Sequence, residues 1–152
     1  MSNHDIIATL NDLVETCKDG EFGFRTSAEH AKAPALASQL TGRADECRQA
    51  ASELQTLVSE LGGKAEDGGT ASGALHRGWV AVRSALSGYT DLAVLEECER
   101  GEDVALERYR DALKKELPAN VLMVVQRHYE GVKRNHLAIR TMRDAQKAEA
   151  HH

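Results

Sequence analysis

The segment LEECERGEDVALERYRDAL, residues 95–113, places two carboxylates where a soluble helix usually has apolar residues. At helical spacing its apolar positions are Leu95, Cys98, Ala105, Leu106, Tyr109 and Leu113. Glu99 and Glu102 lie in or beside that stripe. A buried carboxylate is costly unless a cation, a proton or hydrogen-bond donors compensate it. The two acids therefore indicate either a metal site or an internal ion pair.

Two residues on other helices could join these acids. Glu21 lies within an apolar stripe of the first predicted helix, and His136 lies within one of the last. With Gly62 and Pro118 taken as one end of a bundle, a rise of about 1.5 Å per residue places all four side chains roughly 21–27 Å from that end. Carboxylates with an imidazole suit iron, manganese or zinc. The predicted metal ligands are Glu21, Glu99, Glu102 and His136.

An internal ion-pair or hydrogen-bond layer is the alternative explanation for these acids. Four arginines could reach inwards and neutralise them: Arg43, Arg48, Arg140 and Arg143. Tyr109 could instead donate a hydrogen bond to Glu102, because the two lie on neighbouring faces of one helix. In this alternative the protein is a non-catalytic interaction or structural module that forms a homodimer or docks on a partner.

The pattern of a di-iron enzyme is missing from the sequence. A carboxylate-bridged di-iron site has Glu-x-x-His on two helices of its bundle. Here Glu99 is followed three residues later by Glu102, and Glu130 by Lys133. The second predicted helix also has an apolar inner stripe. A single-metal site remains compatible with the sequence, and no enzymatic activity is assigned.

The cysteines and one further histidine have structural interpretations. Cys17, Cys47 and Cys98 lack CxxC spacing and fall in apolar stripes. We interpret them as small hydrophobic residues in a reducing compartment. His128 lies in the spacing of the apolar stripe of the last helix, and we expect it to bond a backbone carbonyl in the core.

Composition restricts the class of partner. The formal charge of −5 disfavours nucleic acid and anionic membrane surfaces. No apolar run approaches the roughly 20 residues that a membrane-spanning helix needs. The first residues, MSNHDIIATLNDL, lack the basic and long apolar regions of a secretory signal. We therefore expect a cytoplasmic protein.

Apolar periodicity, proline and glycine divide the chain into four long helices. They are expected at about 4–32, 34–61, 91–116 and 119–148, and a glycine-rich loop covers residues 62–73. We expect one domain over residues 1–148. Residues 149–152 form a tail in which His151 and His152 resemble part of a purification tag.

The length of the third helical region decides the topology. Residues 73–116 as one straight helix would span roughly 65 Å, against roughly 42 Å for each helix of the first hairpin. A break near Gly88 removes this mismatch and makes residues 73–88 a helical crossover segment. We therefore predict an all-α, ferritin-like four-helix bundle, in which two helical hairpins are joined by the crossover.

Several segments together resemble a bacterial four-helix-bundle family of unknown function that is grouped with the ferritin-like proteins and known mostly from proteobacteria. The resemblance spans about residues 6–144, and its most specific parts are LHRGW at 75–79 and ECERGED at 97–103. It implies the fold and a bacterial cytoplasmic protein, and it implies no activity. Ferritin-like relatives bind iron or manganese, but this sequence lacks their Glu-x-x-His pattern.

The leading functional expectation is a ferritin-like bundle that binds iron, manganese or zinc through Glu21, Glu99, Glu102 and His136. Such a protein would act in bacterial stress or metal handling. A homo-oligomer is the possible assembly. We expect no binding to nucleic acid or to a membrane.

Overall fold

The computed structural model describes residues 2–65 and 90–150, and this part of the chain forms four α-helices and no strand. The helices are α1 (Asn3–His30), α2 (Pro34–Glu60), α3 (Asp91–Leu113) and α4 (Ala119–Ala150). Each end lies within three residues of its predicted position, so the all-α prediction is confirmed. The predicted crossover at 73–88 lies outside the described residues.

Local sequence signals explain where the helices begin and end. The Ser2 hydroxyl accepts a hydrogen bond from the Asp5 N–H at 3.2 Å, which caps α1. The Thr90 hydroxyl caps α3 in the same way through the Ala93 N–H at 3.1 Å. Gly62 follows α2 with a φ of 83°, a left-handed conformation that glycine adopts without strain. Capping residues thus define three of the helix ends.

The backbone at the N-cap of α2 is held by a side chain from another helix. Ala33 occupies this position and makes no side-chain hydrogen bond to the first turn. Asp91 at the start of α3 accepts hydrogen bonds from the N–H groups of Lys32 at 2.7 Å and Ala33 at 3.1 Å. A carboxylate is favoured at a helix N-terminus because the helix dipole is positive there. This contact fixes the α1–α2 turn against the start of α3.

The two hairpins lie side by side in a ferritin-like arrangement. α1 packs along α2, α3 packs along α4, and α1 also packs along α3, whereas α2 and α4 are the neighbouring pair that is packed least closely. α2 ends at the opposite end of the bundle from the start of α3, as two hairpins joined by a long connection require. The bundle is therefore most open between α2 and α4.

The apolar core is divided into two clusters along the bundle axis. The cluster nearer Gly62 includes Leu10, Leu13, Val14, Leu54, Val58, Tyr109, Val121 and Val125. The cluster nearer the α1–α2 turn includes Phe24, Leu36, Leu40, Val94, Leu95, Cys98 and Ile139. On α3 the division falls between Cys98 and Leu106, which is where Glu102 lies. No described helix has an apolar stretch sufficient to cross a membrane.

Candidate functional site

A cavity of about 270 Å³ lies inside the bundle and is lined by residues from all four helices. The buried thiol, ionisable and hydroxyl groups of its wall belong to seven residues: Cys17, Asp19, Arg43, Cys47, Glu102, Tyr109 and His128. Because most of these groups are titratable, their hydrogen bonds determine what chemistry the cavity can support.

Glu102 is the most deeply buried charged residue of this wall, with a relative exposure of 1%. Its Oε1 accepts hydrogen bonds from Arg43 Nε at 2.9 Å and from Asn135 Nδ2 at 2.6 Å. The Arg43 guanidinium also lies 5.7 Å from the centre of the Phe24 ring, within the range of a cation–π contact. An arginine stays protonated at any ordinary pH. The predicted arginine partner of Glu102 is therefore confirmed, and it is Arg43.

The second carboxylate oxygen of Glu102 is in a different state. Oε2 is buried and has no hydrogen-bond partner among the described residues. Buried acceptors of this kind are uncommon, because the lost hydration is not replaced. Glu102 lines the cavity. Because Oε2 itself has almost no accessible surface, a group in the cavity does not reach it in this arrangement.

A chain of hydrogen bonds runs from the core to the edge of the cavity. Cys17 Sγ lies 3.1 Å from Tyr109 Oη, which lies 3.3 Å from His128 Nδ1. His128 Nε2 lies 3.0 Å from Glu53 Oε1, and Glu53 also binds Arg127. Because the carboxylate can only accept, the neutral imidazole donates from Nε2 and accepts from Tyr109 at Nδ1. The Cys17 S–H then donates to Tyr109 Oη, so each of these donors has an acceptor.

Burial keeps the side chains of Cys17, Cys47, Tyr109 and His128 uncharged at neutral pH. It raises the pKa of the Cys17 thiol to about 11, although the hydrogen bond to Tyr109 opposes the shift. Burial also raises the pKa of the Cys47 thiol and of the Tyr109 phenol well above their ordinary values. It lowers the pKa of His128, although Glu53 opposes that change. At neutral pH the thiols are therefore poor nucleophiles and poor metal ligands.

The four predicted metal ligands have separate partners. Glu99 accepts from Arg140 Nε at 3.4 Å and also binds Arg143. His136 Nε2 lies 2.6 Å from Asp103 Oδ1, and half-buried Glu21 pairs with Arg25 at 3.4 Å. In residues 2–65 and 90–150, no three His, Cys, Asp or Glu side chains are placed to hold a metal ion.

Metal binding through Glu21, Glu99, Glu102 and His136 therefore stays a prediction. The donor set does not fit a metal ion in the arrangement that the structure shows, because all three carboxylates hold guanidinium groups. A guanidinium beside a carboxylate opposes the approach of another cation. The ion-pair alternative accounts for the contacts of Glu99 and Glu102.

Two sequence-based expectations need correction. His128 was expected to bond a backbone carbonyl, and its ring nitrogens instead contact Tyr109 and Glu53. Tyr109 was a candidate donor to Glu102, and its hydroxyl is instead used by Cys17 and His128. The contact between Tyr109 and His128 follows from the register of the α3–α4 hairpin. Tyr109 and His128 are equidistant in sequence from the bond between Pro118 and residue 119, so they lie opposite each other.

The same register identifies a residue that the sequence interpretation missed. Asn135 and Glu102 are also equidistant from the turn at Pro118, and the Asn135 amide binds the carboxylate at 2.6 Å. Arg48, one of the predicted inward arginines, lies on the surface near Asp45 at 4.0 Å. Pairing residues across the turn at Pro118 would have found Asn135. It would not have selected Arg43, which reaches Glu102 from α2.

Comparison with known proteins places the chain in a family. Residues 5–115 match the family described as a domain of unknown function, DUF2383. The chain belongs to this family. A search of curated proteins found no match to this DUF2383 member.

Solved structures agree with the helical arrangement. The DUF2383 chain is similar to a mutant of Dps1 from Mycobacterium smegmatis, with a TM-score of 0.77 and 14% sequence identity. The similarity covers 94% of this chain and 99% of the Dps1 chain. At this identity the comparison establishes the ferritin-like fold and leaves the function open.

Proposed function

We propose that the protein is a non-catalytic binding bundle that takes up a small molecule in the cavity between its four helices. The observation that supports this most directly is the cavity itself, which lies between the four helices and is lined on its inner side by the buried side chains of Cys17, Phe24 and Cys47. The cavity volume of about 270 Å³ exceeds the roughly 150 Å³ of an engineered cavity that binds benzene. A molecule of one or two rings has the matching size.

The chemistry of the wall favours binding over catalysis. A catalytic thiol needs a lowered pKa, and burial instead raises the pKa of the Cys17 and Cys47 thiols. A general base needs a free atom that can accept a proton from the substrate. Both ring nitrogens of His128 are already bonded, one to Tyr109 and the other to Glu53. The remaining role for these groups is to hold and orient an occupant.

Metal binding is the competing function. Iron, manganese or zinc bound at Glu21, Glu99, Glu102 and His136 would suit a role in stress or metal handling. The ferritin-like fold that the protein shares with Dps1 is compatible with this hypothesis. It requires the arginines that now hold Glu99 and Glu102 to leave. The binding-bundle proposal requires no such rearrangement, because Arg43 already compensates the charge of Glu102.

The two functions are separated by titrating the untagged protein with benzene and, separately, with Fe²⁺, Mn²⁺ and Zn²⁺. A bound ligand stabilises the folded state by mass action, so the melting temperature reports occupancy. We expect a rise with benzene and none with the metals. Elemental analysis of protein purified without chelator should show far less than one metal ion per chain. A stoichiometric metal with no effect of benzene would reverse the assignment.

A pair of matched variants localises the benzene effect. Ala50 lines the cavity, and Ala50→Leu adds carbon atoms at its wall. Ala35 is exposed on the same helix, so Ala35→Leu makes the same chemical change elsewhere. We expect Ala50→Leu to abolish the benzene effect and Ala35→Leu to preserve it. Equal responses of the two variants would place the benzene outside the cavity and reject the proposal.

Self-association in the cytoplasm of a bacterium is a further part of the proposal. Three large apolar side chains are exposed on α4, at Leu122, Met123 and Leu137. Exposed apolar groups of this size favour contact with another protein surface. Light scattering on the purified protein would report a mass above 16.6 kDa if the chain forms a homo-oligomer. A monomer at all concentrations would remove this part.

A further inference from the structure

We propose that ligands enter and leave the cavity through a portal between α2 and α4, which is bordered by Glu53 and Arg127 and left open at Gly131. This inference rests on the proposed function and assigns the route to the same cavity. It follows from the exposure of the lining residues, the register of α2 against α4 and the space beside Gly131.

The exposed part of the cavity wall lies on two helices. Four of the described lining residues are exposed, and all four belong to α2 or α4: Glu46, Gln49, Arg127 and Arg134. The described lining residues of α1 and α3 are buried or half-buried. α2 and α4 are also the neighbouring helices that are packed least closely. The cavity therefore comes nearest to the solvent between α2 and α4.

The α1–α3 side of the cavity is a poorer route. Asp19 lies about two turns after Asp12, which binds Arg108 of α3 at 2.6 Å, so Asp19 faces the contact between α1 and α3. The Asp19 side chain is buried and is already engaged within the protein. A ligand that passed on this side would have to disturb a buried charged group, which is costly when its contacts are lost.

A polar bridge joins α2 to α4 at one border of the portal. The Glu53 carboxylate accepts hydrogen bonds from both Nη groups of Arg127, and its Oε1 lies 3.0 Å from Nε2 of His128. A bidentate contact between an arginine and a carboxylate fixes the geometry of both side chains. Glu53 thus ties the two helices together where the cavity approaches the surface.

The register of the two helices places Gly131 next to this bridge. α2 and α4 are antiparallel, because α2 ends and α4 begins at the same end of the bundle. Counting four residues along each helix from the Glu53–Arg127 bridge puts Gln49 opposite Gly131. Four residues correspond to a rise of about 6 Å. Because glycine has no side chain, the space that a side chain at position 131 would fill stays open.

Packing does not require glycine at position 131. Its backbone has the ordinary helical conformation, in which glycine is less stable than alanine. Among the described residues, a β-carbon built on Gly131 would meet only Arg134 Nη2, at 3.7 Å, which is an ordinary contact. At Gly20, by contrast, a β-carbon would lie 3.0 Å from Cys47 Sγ, so close packing explains that glycine. A larger side chain at position 131 would therefore be accommodated and would narrow the portal.

Gly131→Leu and Gly42→Leu provide the matched test. Both glycines lie within helices and accept a β-carbon without a clash, but only Gly131 lines the cavity. Fluorobenzene resembles benzene in shape, and its ¹⁹F exchange or relaxation-dispersion spectra with the full-length protein measure association and dissociation rates. Gly131→Leu should lower both rates by about tenfold, because the barrier to passage rises. Gly42→Leu should leave both rates unchanged.

A second variant acts on the bridge. Glu53→Gln removes the charge that holds Arg127 and His128, so both rates should rise. A barrier acts on association and dissociation alike, so the affinity should change far less than either rate in Gly131→Leu and in Glu53→Gln. Circular dichroism reports whether each variant is folded. If Glu53→Gln does not fold, the two glycine variants still decide the question.

The outcomes separate the inference from the function on which it rests. Equal rates in Gly131→Leu, Gly42→Leu and the natural protein would overturn the portal and leave the binding bundle intact. A change confined to the dissociation rate of Gly131→Leu would assign position 131 to the binding wall and would also overturn the inference. If benzene and fluorobenzene fail to bind the natural protein at millimolar concentration, the proposed function and this inference are both rejected.

Discussion

Glu99 and Glu102 lie one turn apart on α3, and both bind arginine, yet their surroundings differ. The Glu99 side chain is 14% exposed, and its partners Arg140 and Arg143 lie on α4 at the surface. Glu102 is 1% exposed, and its partner Arg43 crosses the interior from α2. The outer pair is screened by water, whereas the inner pair depends on its own geometry. One turn of helix therefore separates a surface ion pair from the wall of a cavity.

The largest expected effect comes from neutralising each acid in turn. Glu102→Gln leaves the buried Arg43 with only the distant, exposed carboxylate of Glu46 at 3.9 Å and should lower the free energy of unfolding by about 3–5 kcal/mol. Glu99→Gln keeps shape in the same way and should cost only a small fraction of that, because water solvates its arginines. Urea denaturation measures both values. Equal losses of unfolding free energy in Glu102→Gln and Glu99→Gln would contradict the difference between the buried and the surface ion pair.

The next effect tests the hydrogen-bond chain beside the inner pair. Tyr109→Phe removes the hydroxyl between Cys17 and His128, leaving a buried donor and a buried acceptor unpaired, at a cost of about 1–3 kcal/mol. Tyr129→Phe is the control, because the Tyr129 hydroxyl accepts from the exposed side chain of Arg110. We expect no measurable change for the control in the same urea experiment. A neutral Tyr109→Phe would mean that the chain does not stabilise the fold.

A smaller effect concerns the pH dependence of stability. Burial lowers the pKa of His128 in the folded protein below its ordinary value of 6.5, so the unfolded chain binds this proton more readily. The contribution of neutral His128 is therefore present above pH 6.5 and is lost as pH falls through the folded pKa. His128→Gln should flatten the stability profile below pH 6.5. An unchanged slope would assign the pH dependence to other groups.

The smallest expected effect is that of metal ions on the outer and inner acids. Adding Mn²⁺ or Zn²⁺ should leave the melting temperature unchanged, because arginines hold Glu99 and Glu102. If Glu102→Gln abolished a metal-dependent rise in melting temperature while Glu99→Gln did not, the inner carboxylate would be a metal ligand. Glu102 would then differ from Glu99 as a metal ligand differs from a member of an ion pair.

The sequence was sufficient for the fold because its helix-ending signals are local. Ser2, Thr90 and Gly62 act on backbone groups within a few residues, so each can be recognised without knowledge of the rest of the chain. The burial of Glu102 was also accessible, since it follows from the spacing of apolar residues on α3. These features do not depend on how the helices are rotated against each other.

The partners of the acids were less accessible because they depend on helix rotation. The helical rise per residue places Glu99 and Glu102 at nearly the same height along the bundle axis as His136. It does not determine the direction in which each side chain points. In the structure Glu99 points towards Arg143, and His136 meets Asp103. The choice of Arg43 among the candidate arginines depends on the opening of the bundle between α2 and α4, and no local pattern encodes that opening.

The most direct test of the cavity is the side-chain amide signal of Asn135 in a ¹H–¹⁵N spectrum during titration with benzene. This amide bonds the carboxylate of Glu102, a residue of the cavity wall, so it should shift in proportion to occupancy. We expect the shift in the natural protein and in Ala35→Leu, and its absence in Ala50→Leu. Shifts confined to the exposed residues Leu122, Met123 and Leu137, with the Asn135 amide unmoved, would contradict the account.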